Sequence, residues 1–148
     1  MLILDLLQSP SNLGLLLRTA EAMGVHGVVI QKRRAGGVTP AVVAASMGAS
    51  EHLLIARATN IARTIEQLRG DDVWVAGLHP GPGSLHMHEC DLNISLALVI
   101  GNEDKGLRRL VRERCDFLIN IPMHGLVKSL NAAVAGSLAL YAARNARV

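Results

Sequence analysis

Short apolar runs alternate with segments of helical period from one end of the chain to the other, and that alternation is its strongest constraint. Leu2–Leu7, Val25–Ile30, His52–Ile55, Val73–Leu78, Leu96–Ile100 and Phe117–Ile121 read as buried strands. Between and after them, Leu13–Met23, Pro40–Met47, Asn60–Leu68, Leu107–Arg114 and Ser129–Ala143 carry apolar residues at helical spacing or helix-start signals. Near-continuous apolar strands separated by helices predict an α/β fold, a mostly parallel sheet with helices on both faces. With 148 residues, no repeat and no low-complexity tract, the expectation is one domain over residues 1–148. Half the residues are apolar, enough for a core that needs no disulfide or metal. No apolar run approaches the roughly 20 residues of a bilayer span, and Met1–Leu7 lacks a basic leader. Two cysteines, Cys90 and Cys115, fit a reducing compartment, so the reading is cytoplasmic.

Net charge is +3, which permits a polyanionic partner without requiring one. The excess is clustered. Lys32-Arg33-Arg34 follows an apolar run, and Lys105, Arg108, Arg109, Arg112 and Arg114 crowd another segment. A polar turn and a solvated helix face explain both clusters equally well. Aromatic residues make up only 2%, which argues against a base-stacking platform for single strands.

In parallel sheets, ligands collect at loops leaving the carboxyl ends of strands. Three loops have suitable composition: Gln8–Gly14, Gly101–Gly106 and Ile121–Asn131. The first opens the helix bearing Arg18, with Asn12 as its expected N-cap. The second has glycines that allow close backbone approach, and Glu103 supplies a carboxylate there. The third precedes a helix for which Ser129 is a natural N-cap. None holds a GxGxxG or GxxxxGK[ST] pattern, which speaks against a dinucleotide or nucleoside triphosphate site. His86-Met-His-Glu-Cys90 offers metal-ligand chemistry but lacks a distant partner pair at zinc spacing, so a polar loop is expected. No G-x-S-x-G elbow accompanies the histidines, so a serine hydrolase is not indicated.

Taken together and in order, the three loops carry a resemblance that none carries alone. Leu4–Ala20 followed by Gly24-Val25, then Leu98–Leu107, then Ile121–Asn131 with Ala135, resemble the motifs of the SpoU (TrmH-type) branch of the SPOUT superfamily. The likeness runs from about Leu2 to Arg144. Members of this branch are RNA ribose 2′-O-methyltransferases that use S-adenosylmethionine. Arg108–Asp116 looks most like the enzymes that methylate a guanosine ribose in large-subunit ribosomal RNA.

The resemblance implies a C-terminal deep trefoil knot, a homodimer, and RNA as the partner, with no membrane association and no metal. By motif position it implies cofactor contacts at Gly101, Ile121 and Leu130, with Met123 and Gly125 nearby. It implies a catalytic set of Asn12, Arg18, Glu103, Ser129 and Asn131. Glu103 is expected to orient Arg18 through a charge-assisted fork, leaving Arg18 to act on phosphate and developing alkoxide. Ser9 stands where the first motif often has an acid, and Ala132-Ala133 where small or hydroxylated residues often follow the third. The chain begins at the first catalytic strand, so the expectation is no N-terminal RNA-binding extension: either a minimal enzyme, or one for which a partner supplies RNA recognition. A transfer-RNA enzyme is the runner-up, and an RNA-binding factor of weak activity on the same fold is the alternative class.

Overall fold

A computed structural model describes residues 1–148. Its centre is a seven-stranded sheet whose pairings are all parallel. The strands are β1 (Leu2–Leu4), β2 (Val28–Gln31), β3 (Ile55–Ala58), β4 (Trp74–Leu78), β5 (Leu85–His86), β6 (Leu96–Ile100) and β7 (Phe117–Asn120). Five helices accompany them: α1 (Pro10–Ala22), α2 (Pro40–Ala45), α3 (Ile61–Gly70), α4 (Arg109–Arg114) and α5 (Ala132–Asn145). Spatial order is β3-β2-β1-β6-β4-β7-β5, so β6 inserts between β1 and β4, and β7 between β4 and β5. No helix is long and apolar enough to cross a membrane.

Alternation along the strands divides the core into two layers. Leu2, Leu4, Val28, Ile30, Leu98 and Ile100 face α1, α2 and α5 through Leu13, Leu16, Leu17, Val42, Ala139 and Leu140. Ile3, Val29, Val75, Ala97 and Val99 face the other way, onto Ile61 and Ile65 of α3 and Val111 of α4. Both faces of the central strands are therefore covered, which is why their sequences read as unbroken apolar runs.

The element types follow the sequence reading, while several boundaries move. β1 ends at Leu4 rather than Leu7, because Leu6 turns the chain with φ of 60°. Ser9, not Asn12, caps α1: its hydroxyl accepts from Asn12 N–H, and Asn12 lies buried inside the helix. Pro10 fits the first turn because its missing N–H would have no helical partner there. The strand expected over His52–Ile55 begins at Ile55, and Ala49–His52 forms a 3-10 turn. β5 was not expected at all. Its two residues depend on pairing with β7 rather than on any apolar pattern of their own. α5 starts at Ala132 with Asn131 as its cap, Oδ1 accepting from Ala133 and Val134 N–H, so Ser129 is outside the helix and caps nothing.

Two glycines let helices approach closely. A Cβ on Gly14 of α1 would lie 2.4 Å from Ala45 Cβ and 2.9 Å from its carbonyl carbon, in α2. One on Gly136 of α5 would lie 2.6 Å from Leu16 Cδ2 of α1. At Gly14 the obstruction includes backbone, which cannot rotate away. Gly14→Ala therefore loses about 1–3 kcal/mol to overpacking against a helix-propensity gain of about 1 kcal/mol. Urea unfolding should show a net loss of stability in Gly14→Ala. Gly70→Ala, with nothing within 4 Å of the added methyl, should be neutral or slightly stabilising.

Candidate active site

The carboxyl ends of β1, β6, β4 and β7 open onto one side of the molecule. Here strand order departs from chain order, and such switch points leave a crevice between diverging loops. A cavity of about 310 Å³ occupies it, within the usual range of small-molecule sites, about 300–1,000 Å³. Leu78, Ile100, Ile121, Met123, Leu130, Ala132 and Ala135 supply its apolar wall. His79, Asn102, Glu103, Lys105, Asn120, Lys128 and Ser129 supply its polar rim, with Gly101 and Gly106 at the turn after β6.

Glu103 organises this region. Its carboxylate accepts from the N–H groups of Ser9, at 2.8 Å, and Gln8, at 3.1 Å. It also accepts from Asn12 Nδ2 at 3.4 Å and Asn102 Nδ2 at 3.2 Å. Asn12 Oδ1 in turn accepts from Asn131 Nδ2 at 3.0 Å. The loops after β1, β6 and β7 are thus joined through one acid and two amides. Partial burial alone raises the Glu103 carboxyl, but the donors from Ser9, Asn12 and Gln8 outweigh it and leave the group below its ordinary range. Glu103 is therefore a carboxylate at neutral pH.

The loop after β6 is held tightly as well. Asn102 Oδ1 accepts from Asp104 and Lys105 N–H, while Asn102 Nδ2 donates to Leu6 carbonyl at 2.9 Å. A Cβ at Gly101 would fall 2.3 Å from the Gly106 carbonyl carbon, so only glycine lets the turn close. Below it, fully buried Asp5 accepts from Arg108 N–H and Arg108 Nε, and Arg108 Nη2 also donates to Gln31 Oε1. That ion pair, buried only at its Asp5 end, fixes the end of the loop to β1 and β2. Sequence reasoning missed it, although an acid inside the apolar run Leu2–Leu7 was a visible signal.

Of the residues expected at the site, Gly101, Glu103, Ile121, Met123, Ser129 and Leu130 line the cavity. Asn12 and Asn131 join it through the network just described. Gly125 lies outside the lining, in the exposed stretch from His124 to Asn131. Arg18 is the clearest departure. Glu103 does not orient it; the carboxylate is engaged by main-chain and amide donors instead. Arg18 forms no ion pair and is exposed on α1, on the stripe shared with Ser11 and Leu15.

Other titratable groups are quieter. His79 at the rim is lowered by burial and then by Arg112, whose Nη1 sits 3.3 Å from His79 Nε2. The ring is therefore neutral, with Nε2 as acceptor. Asn120 Oδ1 lies 2.8 Å from His86 Nδ1, and the His86 ring stacks on His88. Cys115 is pushed up to about 12 by burial and then by Asp116 and Asp5, so it stays a thiol.

Fold and site together are those of an α/β domain with a ligand-sized crevice at a topological switch point, and comparison with known proteins identifies its kind. The profile of the SpoU rRNA Methylase family matches residues 1–141. The chain belongs to the SpoU rRNA methylase family. It is 53% identical over 140 residues to YacO of Bacillus subtilis (strain 168), whose name places it in the TrmH family of tRNA/rRNA methyltransferases. That match covers 95% of this chain and 56% of the relative. Its structure is similar to the SpoU methyltransferase AviRb from Streptomyces viridochromogenes in complex with the cofactor AdoMet. The TM-score is 0.90 at 30% identity, over 99% of this chain and 59% of that one. It is similar also to an RNA 2′-O ribose methyltransferase, with a TM-score of 0.85, 31% identity, and coverage of 99% and 55%. The chain thus spans a little over half the length of these proteins.

The donors around Glu103 give a testable pH dependence. Its lowered pKa means that ionised Glu103 contributes stability at and above the ordinary glutamate value, about 4.3, and that this is lost as pH falls through the folded value. Glu103→Gln should be less stable than the parent at pH 7. The difference should shrink as both are unfolded at successively lower pH, from the ordinary glutamate value down through the lower folded value, where the parent carboxylate becomes protonated.

Proposed function

We propose that this chain transfers a methyl group from S-adenosylmethionine to a ribose 2′-hydroxyl in RNA, first of all a guanosine of large-subunit ribosomal RNA. The observation that carries the reading is the cavity lined by the second and third motif loops, to which Glu103, Asn12 and Asn131 join the first. The cofactor-bound state of AviRb and the 2′-O ribose chemistry of the other structural relative support it. The tRNA/rRNA label of YacO makes transfer RNA the second substrate to test.

The cavity fits the cofactor in size and in character, with an apolar wall for an adenine ring and a polar rim for ribose and amino-acid groups. Gly101, Ile121 and Leu130 would hold it, with Met123 beside them and Gly125 in the covering loop. When bound, it supplies an electrophilic methyl group on a sulfonium. The apolar side chains of Ile121, Met123 and Leu130, which line the cavity, would exclude water from the bound cofactor. Ser129, at the rim with no hydrogen-bond partner in the chain, is available to orient a ribose hydroxyl. Glu103, Asn12 and Asn131 act as positioning residues that keep the loops in register. Arg18 remains the principal catalytic residue. Its guanidinium stays protonated, so it binds phosphate and stabilises charge developing on the 2′-oxygen rather than accepting the proton.

Arg18 lies away from the cavity of its own chain, and the surface around it suggests how it reaches one. Val134, Leu138 and Tyr141 form an exposed apolar stripe on α5, continued by Leu15 on α1, with Thr19 Oγ1 and Ser137 Oγ 2.9 Å apart between the helices. A homodimer formed through this face covers the stripe and brings Arg18 to the partner's cavity. The reading includes the family's C-terminal trefoil knot, in the segment that leads from β7 to α5.

Four outcomes are expected. Mapping of 2′-O-methyl sites should show one position in ribosomal or transfer RNA lost when the gene is removed; no lost position overturns the reading. Light scattering should show a dimer, and Leu138→Glu should shift it to monomer. Arg18→Ala should slow single-turnover methyl transfer by roughly a hundredfold or more, the scale of losing one transition-state donor, with cofactor affinity nearly unchanged. Mixing Arg18→Ala with a cavity variant, Gly101→Val, should restore activity in mixed dimers if Arg18 serves the partner's cavity.

A further inference from the structure

The two basic clusters of the sequence have different fates in the fold. In the second, Arg108 pairs with Asp5, Arg109 with Glu113 and Arg114 with Glu66, and Arg112 lies against His79. Those arginines are engaged within the chain. The first cluster is not. Lys32, Arg33 and Arg34 are all exposed, in the loop between β2 and α2, and none has a carboxylate within 4 Å. Arg57 of β3 adds a fourth exposed cation: its guanidinium donates to Lys32 carbonyl at 3.1 Å and likewise forms no ion pair.

This loop is tied to the candidate site through one residue. Gln8 donates its main-chain N–H to Glu103, and its side-chain Nε2 donates to Arg34 carbonyl at 3.1 Å. Gly36 N–H donates to Leu7 carbonyl at 2.9 Å, and a Cβ on Gly36 would stand 3.0 Å from Gln8 carbonyl oxygen. Beneath the loop, Gln31 receives Arg108 on its Oε1 and donates Nε2 to Thr59 carbonyl. Four unpaired cations are therefore held in a fixed position relative to Glu103, along the same edge of the sheet as the cavity.

We propose that Lys32, Arg33, Arg34 and Arg57 form a strip that binds the phosphates of the RNA beside the methylated nucleotide. It sets where the substrate backbone lies while the cavity acts on one ribose. This rests on the reading of the chain as acting on RNA. Phosphate contacts of this kind position a nucleic acid without reading its sequence, and their signature is salt dependence. Cations held at fixed spacing, with no internal acid to displace, suit a polyanion whose charges repeat along a chain.

The test uses the triple variant Lys32→Gln, Arg33→Gln, Arg34→Gln, with Arg144→Gln, Arg147→Gln as a charge control at the opposite end of the sheet. Binding of bulk transfer RNA and of protein-free large-subunit ribosomal RNA is measured across a range of salt. The triple variant should bind roughly tenfold or more weakly near 0.15 M salt. The slope of log affinity against log salt should flatten by about 2–3, near one unit per lost phosphate contact. The control should keep the parent slope. S-adenosylmethionine affinity, measured by calorimetry, should be the same in all three proteins and shows that the fold is intact. An unchanged slope in the triple variant, or equal losses in the control, overturns the strip even if the protein methylates RNA. Parent protein that binds RNA through this loop yet transfers no methyl group overturns the enzymatic reading instead and leaves the strip in place.

Discussion

One carboxylate holds three distant parts of the chain in register. Glu103 follows β6, yet its oxygens are taken up by Gln8 and Ser9 N–H after β1 and by Asn12 inside α1, which passes the connection to Asn131 at the head of α5. A charge-assisted hydrogen bond is roughly twice as strong as a neutral one, and here several converge on a partly solvated acid. The consequence is geometric. The cavity walls come from loops that share no sequence proximity, and without this network their relative positions would depend on apolar packing alone. The same donors that lower the Glu103 pKa make it a poor candidate for proton transfer, because they stabilise the ionised form.

A second constraint works from below. Asp5, fully buried at the end of β1, would carry an uncompensated charge without Arg108, and that pair extends to Gln31 at the end of β2. Only the Asp5 end is buried and the Arg108 side chain is partly exposed, so the costly change is removal of Arg108, which leaves a buried carboxylate unpaired. The value of the pair lies in registration: the loop from Gly101 to Leu107 has an anchor at Asn102 on Leu6 carbonyl and another at Arg108 on Asp5. A turn pinned at both ends can present main-chain groups to a ligand without first being ordered by it, which reduces the entropic cost of binding.

Most of the fold was legible because strand and helix periods differ and the buried parallel strands leave unbroken apolar runs. Leu96–Ile100 matches its strand residue for residue. What was not legible depends on long-range contact. β5 exists through pairing with β7, and the caps of α1 and α5 fell to Ser9 and Asn131 rather than to Asn12 and Ser129. Asn12 shows why. As a residue type it is a good cap, but inside α1 its amide reaches both Glu103 and Asn131, a choice no local rule contains. At the site, the ordered motifs located the three loops, and six of the ten expected residues line the cavity itself. The motifs did not reveal which contacts join the loops, since Asp5, Asn102 and Arg108 act through partners up to a hundred positions away.

The separation of Arg18 from Glu103 changes the electrostatics expected of the reaction. An arginine locked in a fork with a carboxylate has much of its field cancelled before any substrate arrives. Here Glu103 is satisfied by dipoles, and Arg18 stands on an exposed helix face with no acid against it. Its charge is screened only by water until a surface closes over α1 and α5. In the proposed homodimer, closing that surface with the apolar stripe of Leu15, Val134, Leu138 and Tyr141 would remove the water and raise the effective strength of the guanidinium toward phosphate and developing alkoxide. Association and catalysis would be coupled in that dimer through one physical step, because the desolvation that drives two chains together would be the same desolvation that makes Arg18 effective.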